Sequence, residues 1–119
     1  MKQIKKQHKY GIKFDSKLEL AFYEMLKKEG IKFEFQVTYT LHPSFKYNKS
    51  TVRAMTLTVD FDFTKHGKNV IVDTKGFWRE SNKQKWKWFK WIMREEHPII
   101  LFPKSVKECE SVIKQLKTL

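Results

Sequence analysis

The chain has 119 residues and a mass of 14.5 kDa, enough for one domain around a single core and too little for two. Hydrophobic residues make up 40% and aromatics 15%, which excludes a disordered chain even though 25 Lys and Arg stand against 13 Asp and Glu. A compact domain with a net charge of +12 repels itself, so a polyanionic partner is expected, nucleic acid first and an anionic membrane surface second. The one cysteine, Cys109, cannot close an internal disulfide, and no apolar run approaches the roughly 18 residues of a spanning helix. Met1 to Lys13 has no apolar segment of a secretory leader. The expectation is a soluble protein of a reducing compartment, the cytoplasm, with no membrane partner.

Residues 1 to 13 carry Lys2, Lys5, Lys6, Lys9 and Lys13 without an acid. They read either as a basic arm that flanks a binding face or as a frayed solubilising terminus. Asp15 and Ser16 then open a helix that runs to Lys28 or Glu29 and stops at Gly30, a residue suited to a left-handed cap. At about 100° per residue, Leu18, Ala21, Phe22, Met25 and Leu26 fall on one stripe, the core face. Phe33 to Tyr39 predicts a strand, and Pro43 to Thr51 a long loop or hairpin tip. From Thr56 to Phe63 the pattern alternates, with Leu57, Val59, Phe61 and Phe63 on one face and Thr56, Thr58, Asp60 and Asp62 on the other. A turn at His66 and Gly67 leads to a strand over Asn69 to Lys75, whose Val70, Ile71 and Val72 run predicts cover on both faces. These two strands are expected to pair as a hairpin. A second helix over Asn82 to Glu96 ends before Pro98, Ile99 to Phe102 form a short buried strand, and Ser105 caps a last helix to Leu116. The order α-β-β-β-α-β-α predicts a single α/β domain, a small mixed sheet flanked by helices.

Between Phe35 and Arg79 the only acids are Asp60, Asp62 and Asp73. Asp73 follows an apolar run where a charge is costly unless partnered, and Lys75, two residues on, falls on the same face of an extended strand. Such carboxylates either hold a hard divalent cation such as Mg²⁺ or pair with Lys75 and other lysines as structural ion pairs. Glu19 has two roles open to it as well. Ser16 to Glu19 matches a capping box, yet Glu19 also lies only about 20° beyond Leu26 on the helical projection, at the edge of the core stripe, where it looks toward the sheet.

A helical Glu, an Asp on a strand before a turn, and Asp-x-Lys on the next strand resemble the PD-(D/E)xK nuclease superfamily. The nearest likeness is to phage endonuclease I-type Holliday-junction resolvases and related transposon end-cleaving subunits. The matching stretches are Gly11 to Glu19 (GIKFDSKLE), Thr58 to Phe61 (TVDF) and Val70 to Phe77 (VIVDTKGF). Val59 replaces the superfamily's usual proline, and Asp73 stands where relatives often have Glu. The resemblance implies a restriction-endonuclease-like core and Mg²⁺- or Mn²⁺-dependent hydrolysis of a DNA phosphodiester. It implies metal ligands at Asp60, Asp73 and Glu19, with the Thr74 carbonyl as a further one, and Lys75 positioning the nucleophile or stabilising the transition state. Asp62 has no counterpart and is a secondary ligand or a partner for nearby lysines. The implied substrate is branched DNA in phage-type recombination or packaging, in the host cytoplasm, cut by a homodimer because two strands need two sites. A nuclease subunit active only within a larger assembly and a non-catalytic basic DNA-binding module are the alternatives.

The stretch from Lys83 to Arg94 interleaves cations with rings. On a helix Trp86, Phe89, Ile92 and Met93 share one arc, the expected core face. Lys83, Lys87, Lys90 and Arg94 share another, suited to phosphate contact or simply solvated. Trp91 lies between the arcs, placed to stack on an unpaired base or to pack at the rim. Cys109 is expected as a buried small hydrophobe.

Overall fold

The structure, a computed structural model, describes residues 7–9, 11–74 and 80–118, and side chains within 11–74 and 82–118. Its elements are β1 (Gln7–Lys9), β2 (Ile12–Phe14), α1 (Lys17–Lys28), β3 (Glu34–His42), β4 (Phe45–Tyr47), β5 (Ser50–Val52), β6 (Met55–Lys65), β7 (Lys68–Val72), α2 (Glu80–Ile92), β8 (Ile99–Leu101) and α3 (Val106–Lys117). The domain is a mixed α/β fold. Without the two small hairpins β1–β2 and β4–β5, the chain order is the expected α-β-β-β-α-β-α.

The central sheet runs β3-β6-β7-β8. β3 and β6 pair antiparallel, β6 and β7 form the expected hairpin, and β8 joins β7 in parallel after the α2 crossover. Lys65 and Lys68 close that hairpin around His66 (φ 51) and Gly67 (φ 77), the two left-handed residues that a tight turn between right-twisted strands requires. Local signals set the helix starts. Ser16 and Ser105 are N-caps whose hydroxyls accept from the backbone of Glu19 and Glu108.

Side chains of β7 alternate between two cores. Val70 and Val72 pack with Phe22, Leu26, Cys109 and Leu116 of α1 and α3, and Ile71 packs with Trp86 and Phe89 of α2. The sheet therefore has α1 and α3 on one face and α2 on the other, and β7 is covered on both sides as its continuous apolar run requires. Burial of Cys109 pushes its thiol up to about 12, so it is an inert part of this core.

Four expectations need correction. β6 does not keep one apolar face: Leu57 and Val59 join the α2 core, whereas Phe61 and Phe63 join the α1 and α3 core. β3 switches in step, with Phe35 on the α1 side and Val37, Tyr39 and Leu41 on the α2 side. The break falls between the pairs Phe35↔Phe61 and Val37↔Val59, which bracket Asp60 on β6 and, on β3, Gln36 in the left-handed region (φ 55). Second, β7 stops at Val72, and Asp73 and Thr74 follow in irregular backbone. Third, α2 ends at Ile92, not Glu96. Met93 to Glu96 continue as tight turns, with Glu96 N–H bonded to the Met93 carbonyl at 3.1 Å, and Ile92 is exposed instead of lying in the core arc. Fourth, the basic arm is in part a hairpin, because β1 and β2 pair antiparallel from Gln7↔Phe14 to Lys9↔Ile12.

Candidate functional site

Glu19 both caps α1 and turns its carboxyl inward to Asp60. Its N–H donates to Ser16 Oγ (3.1 Å), and its Oε1 accepts from the Asp15 backbone N–H (3.1 Å), one residue outside the usual capping-box partner. At the same time the side chain is 1% exposed and its carboxyl hydrogen-bonds the side chain of Asp60, itself 1% exposed. Burial first, and the Asp60 charge second, raise the Glu19 pKa from 4.5 to about 8. At neutral pH Glu19 therefore keeps a proton that an exposed glutamate would lose.

The break in β6 turns Asp60 toward α1. Asp60 Oδ2 accepts two bonds from Thr74, from the backbone N–H at 2.8 Å and from Oγ1 at 2.9 Å. Thr74 and Asp73 are both buried at the end of β7, where the Asp73 N–H donates to the Leu101 carbonyl of β8 at 3.0 Å. The structure thus joins Glu19, Asp60 and Thr74 directly and brings in Asp73 as the neighbour of Thr74. Among the described residues, no group of three or more His, Cys, Asp and Glu side chains is arranged to hold a metal ion. Lys75 lies outside the described residues. The sequence offered Thr74 only through its carbonyl; its two donors to Asp60 went unread because they depend on tertiary placement.

Asp62 is a different case. Asn69 Nδ2 donates to its Oδ1 at 2.8 Å, and the Tyr39 hydroxyl donates to its Oδ2. Burial, followed by that bond to Asp62, raises the Tyr39 hydroxyl above its usual pKa, so it remains a donor. In these contacts both Asp62 oxygens accept from neutral side chains, not from lysines.

The basic surface has three described parts. Lys83, Lys87, Lys90 and Arg94 are all exposed along and just past α2, and Lys13 is exposed on β2. The side chains of Lys5, Lys6 and Lys9 lie outside the described residues. Trp91 is not a rim packing residue. It is 58% exposed, with the Arg94 guanidinium 3.7 Å from its ring centroid. Sequence reasoning missed Trp88, also exposed, and the basic surface of the hairpin expected at Pro43 to Thr51, where Lys46, Lys49 and Arg53 stand beside exposed Phe45 and Tyr47. A signal for this surface was present. No acid occurs between Glu34 and Asp60, and Asn48 (φ 45) with Lys49 (φ 69) makes the tight turn.

Glu19, Asp60 and Thr74 bring oxygen atoms together, the donor type that hard cations take. The proton on Glu19 relieves the same like-charge repulsion that a divalent ion would relieve. No helix among the described residues is long and apolar enough to cross a membrane. Residues 2–108 match the family described as Protein of unknown function (DUF1064), and the chain belongs to that family. No curated protein and no solved structure matches the chain.

Proposed function

We propose that this member of the family is a Mg²⁺- or Mn²⁺-dependent endodeoxyribonuclease with a restriction-endonuclease-like core. The observation that carries the reading is the buried contact between Glu19 and Asp60. Two carboxyl groups buried against each other cost stability, and a bound cation would offset that cost. Glu19, Asp60 and Asp73 would hold the ion, with the Thr74 carbonyl as a further donor. When bound, the ion supplies a water of lowered pKa and positive charge for the scissile phosphate.

The remaining work belongs to the chain. Thr74 fixes one oxygen of Asp60 through two donors, and Asp15 fixes one oxygen of Glu19, so both carboxyls are held in place before DNA arrives. Glu19 must give up the proton it holds at neutral pH in order to act as a ligand. Lys75 is assigned the transition-state charge from sequence alone. The basic residues of α2, Lys13 and the arm grip the phosphate backbone without reading sequence. Branched DNA, cut by a homodimer so that each strand meets one site, is the proposed substrate. The proposed setting is the cytoplasm, that of the host where a phage encodes the chain.

A second reading, a basic DNA-binding module without chemistry, is favoured by one contact, the bond from Asp15 N–H by which Glu19 caps α1. Cleavage of a four-way junction beside its matched linear duplex, with Mg²⁺, with Mn²⁺ and with chelator, separates the two. Metal-dependent cutting that Asp60→Asn abolishes is the expected result. Unchanged DNA in every lane, with intact binding, leaves the module. Cutting that appears only with an added partner protein makes the chain a subunit of a larger nuclease.

A further inference from the structure

Helix α2 carries three tryptophans in its described part, and the core uses one of them. Trp86 is buried against Phe89 and Phe102, whereas Trp88 and Trp91 are 49% and 58% exposed on the opposite side of the helix. The two exposed rings and Lys87 line an open hollow of about 310 Å³. Trp91 is held in place there. The Arg94 guanidinium stacks over its ring at 3.7 Å, and Arg94 Nη1 donates to the Trp91 carbonyl at 2.7 Å.

Large exposed aromatic patches mark interaction sites, and the surroundings of this one select the partner. Lys87 lines it, Arg94 stacks on Trp91, Lys83 and Lys90 are exposed on the same helix, and residues 82 to 94 contain no acid. The ligand must therefore combine flat π-faces with negative charge, a description that nucleotides meet. In a duplex the base faces are stacked away. Two indoles beside a phosphate-binding stripe match bases that are unpaired.

We propose that Trp88 and Trp91 form a stacking site for unpaired bases of single-stranded DNA, with Lys87 and Arg94 on the flanking phosphates. This rests on the reading that the polyanionic partner is DNA, and it does not depend on cleavage. It narrows the substrate to DNA with exposed single-stranded segments.

Binding of the full chain to a labelled oligo-dT and to a duplex of equal length, in chelator so that no cutting occurs, tests it. Trp88→Ala and Trp91→Ala should each weaken oligo-dT binding about 5- to 150-fold, the range for loss of one stacked ring. Trp88→Phe and Trp91→Phe should keep most of the affinity, and duplex binding should change less than about twofold. Both rings are exposed, so thermal melts of the Ala variants should match wild type and separate lost stacking from lost folding. Oligo-dT affinity equal in all variants overturns the proposal, as does an equal loss on duplex. Unchanged oligo-dT affinity with lost binding to phosphatidylglycerol vesicles would make the patch a membrane contact. Unchanged affinity with loss of a dimer in sedimentation would make it an interface between copies. Asp60→Asn should bind oligo-dT like wild type, so failed cleavage and failed stacking are read on separate assays.

Discussion

Asp60 and Asp62 stand two residues apart on β6 and are handled in opposite ways. Asp62 turns to the α2 face and finds donors on both oxygens, the Tyr39 hydroxyl and the Asn69 amide. Asp60 turns to the α1 face and finds Thr74 on one oxygen and another acid, Glu19, beside it. A carboxylate surrounded by donors is at rest. A carboxylate set against a second carboxyl group is kept only by a shared proton or by a cation. Position on a strand therefore says little about role, and the partner supplied by the opposite layer decides it.

The largest effects should fall on the Asp60 side. Asp60→Asn should lower metal-dependent cleavage by more than the roughly 100-fold that loss of a ligand's supporting partner costs, and Thr74→Val, which removes one of the two donors, by about 10- to 100-fold. Initial rates on a junction substrate check both. Asp62→Asn should leave the rate within about threefold, since its partners hold structure and not a cation; a collapse of cleavage there would erase the distinction between the two aspartates.

Next comes a stability effect confined to the same side. Folded Glu19 holds its proton up to about pH 8, whereas the unfolded glutamate releases it near 4.5. Between those values the folded state binds the extra proton, so metal-free stability is greatest below the window and falls as pH rises through it, with a slope approaching about 1.4 kcal/mol per unit. Denaturant titrations from pH 5 to 8.5 should show this slope in wild type and its loss in Glu19→Gln. The variant should be the more stable protein at the alkaline end and an inactive enzyme throughout. Mg²⁺ should stabilise wild type more at pH 8 than at pH 6, because protons compete for the same oxygens.

Much of this arrangement was legible in the sequence, and the illegible part has a physical cause. The caps at Ser16 and Ser105, the β6–β7 hairpin around His66 and Gly67, and the buried run of β7 are local, and local chemistry announced them. Glu19 at the edge of its stripe was readable as inward-facing for the same reason. What did not show was the change of face at Gln36 and Asp60, since a glutamine at φ 55 has no sequence signature and period-2 alternation continues unbroken across it. The early end of α2 was hidden because the residues after Ile92, Met93 to Glu96, are good helix formers. The exposure of Trp88 was missed, and that of Trp91 left open, because a helical projection orders side chains by angle without showing how far the sheet beneath extends.

On the Asp62 side the expected effects are smaller. Tyr39→Phe deletes a hydroxyl bonded to a partly buried carboxylate, which should cost about 1 to 3 kcal/mol of stability and leave cleavage unchanged. Lys87→Ala with Lys90→Ala should weaken binding to all DNA sequences and reduce the salt slope by about two phosphate contacts. An unchanged slope would remove α2 from the interface.

The smallest expected effect bears on why the two aspartates part company at all. In an unbroken strand Asp60 and Asp62 would share a face. Gln36, between the ladder pairs Phe35↔Phe61 and Val37↔Val59 that bracket Asp60, sits where a side chain costs about 1–2 kcal/mol and glycine costs nothing. Gln36→Gly relieves that strain and loses part of the gain to the freer unfolded chain, so stability should move by less than about 1 kcal/mol and cleavage should persist. Gln36→Val asks a β-branched residue to adopt the same backbone, and it should push the strand back toward regular alternation. That swings Asp60 away from Glu19, so its signature is a diminished pH slope together with lost cleavage. If Gln36→Val is merely less stable, with the slope and the rate intact, the break in β3 is incidental and the separation of the two aspartates must be held by α1 alone.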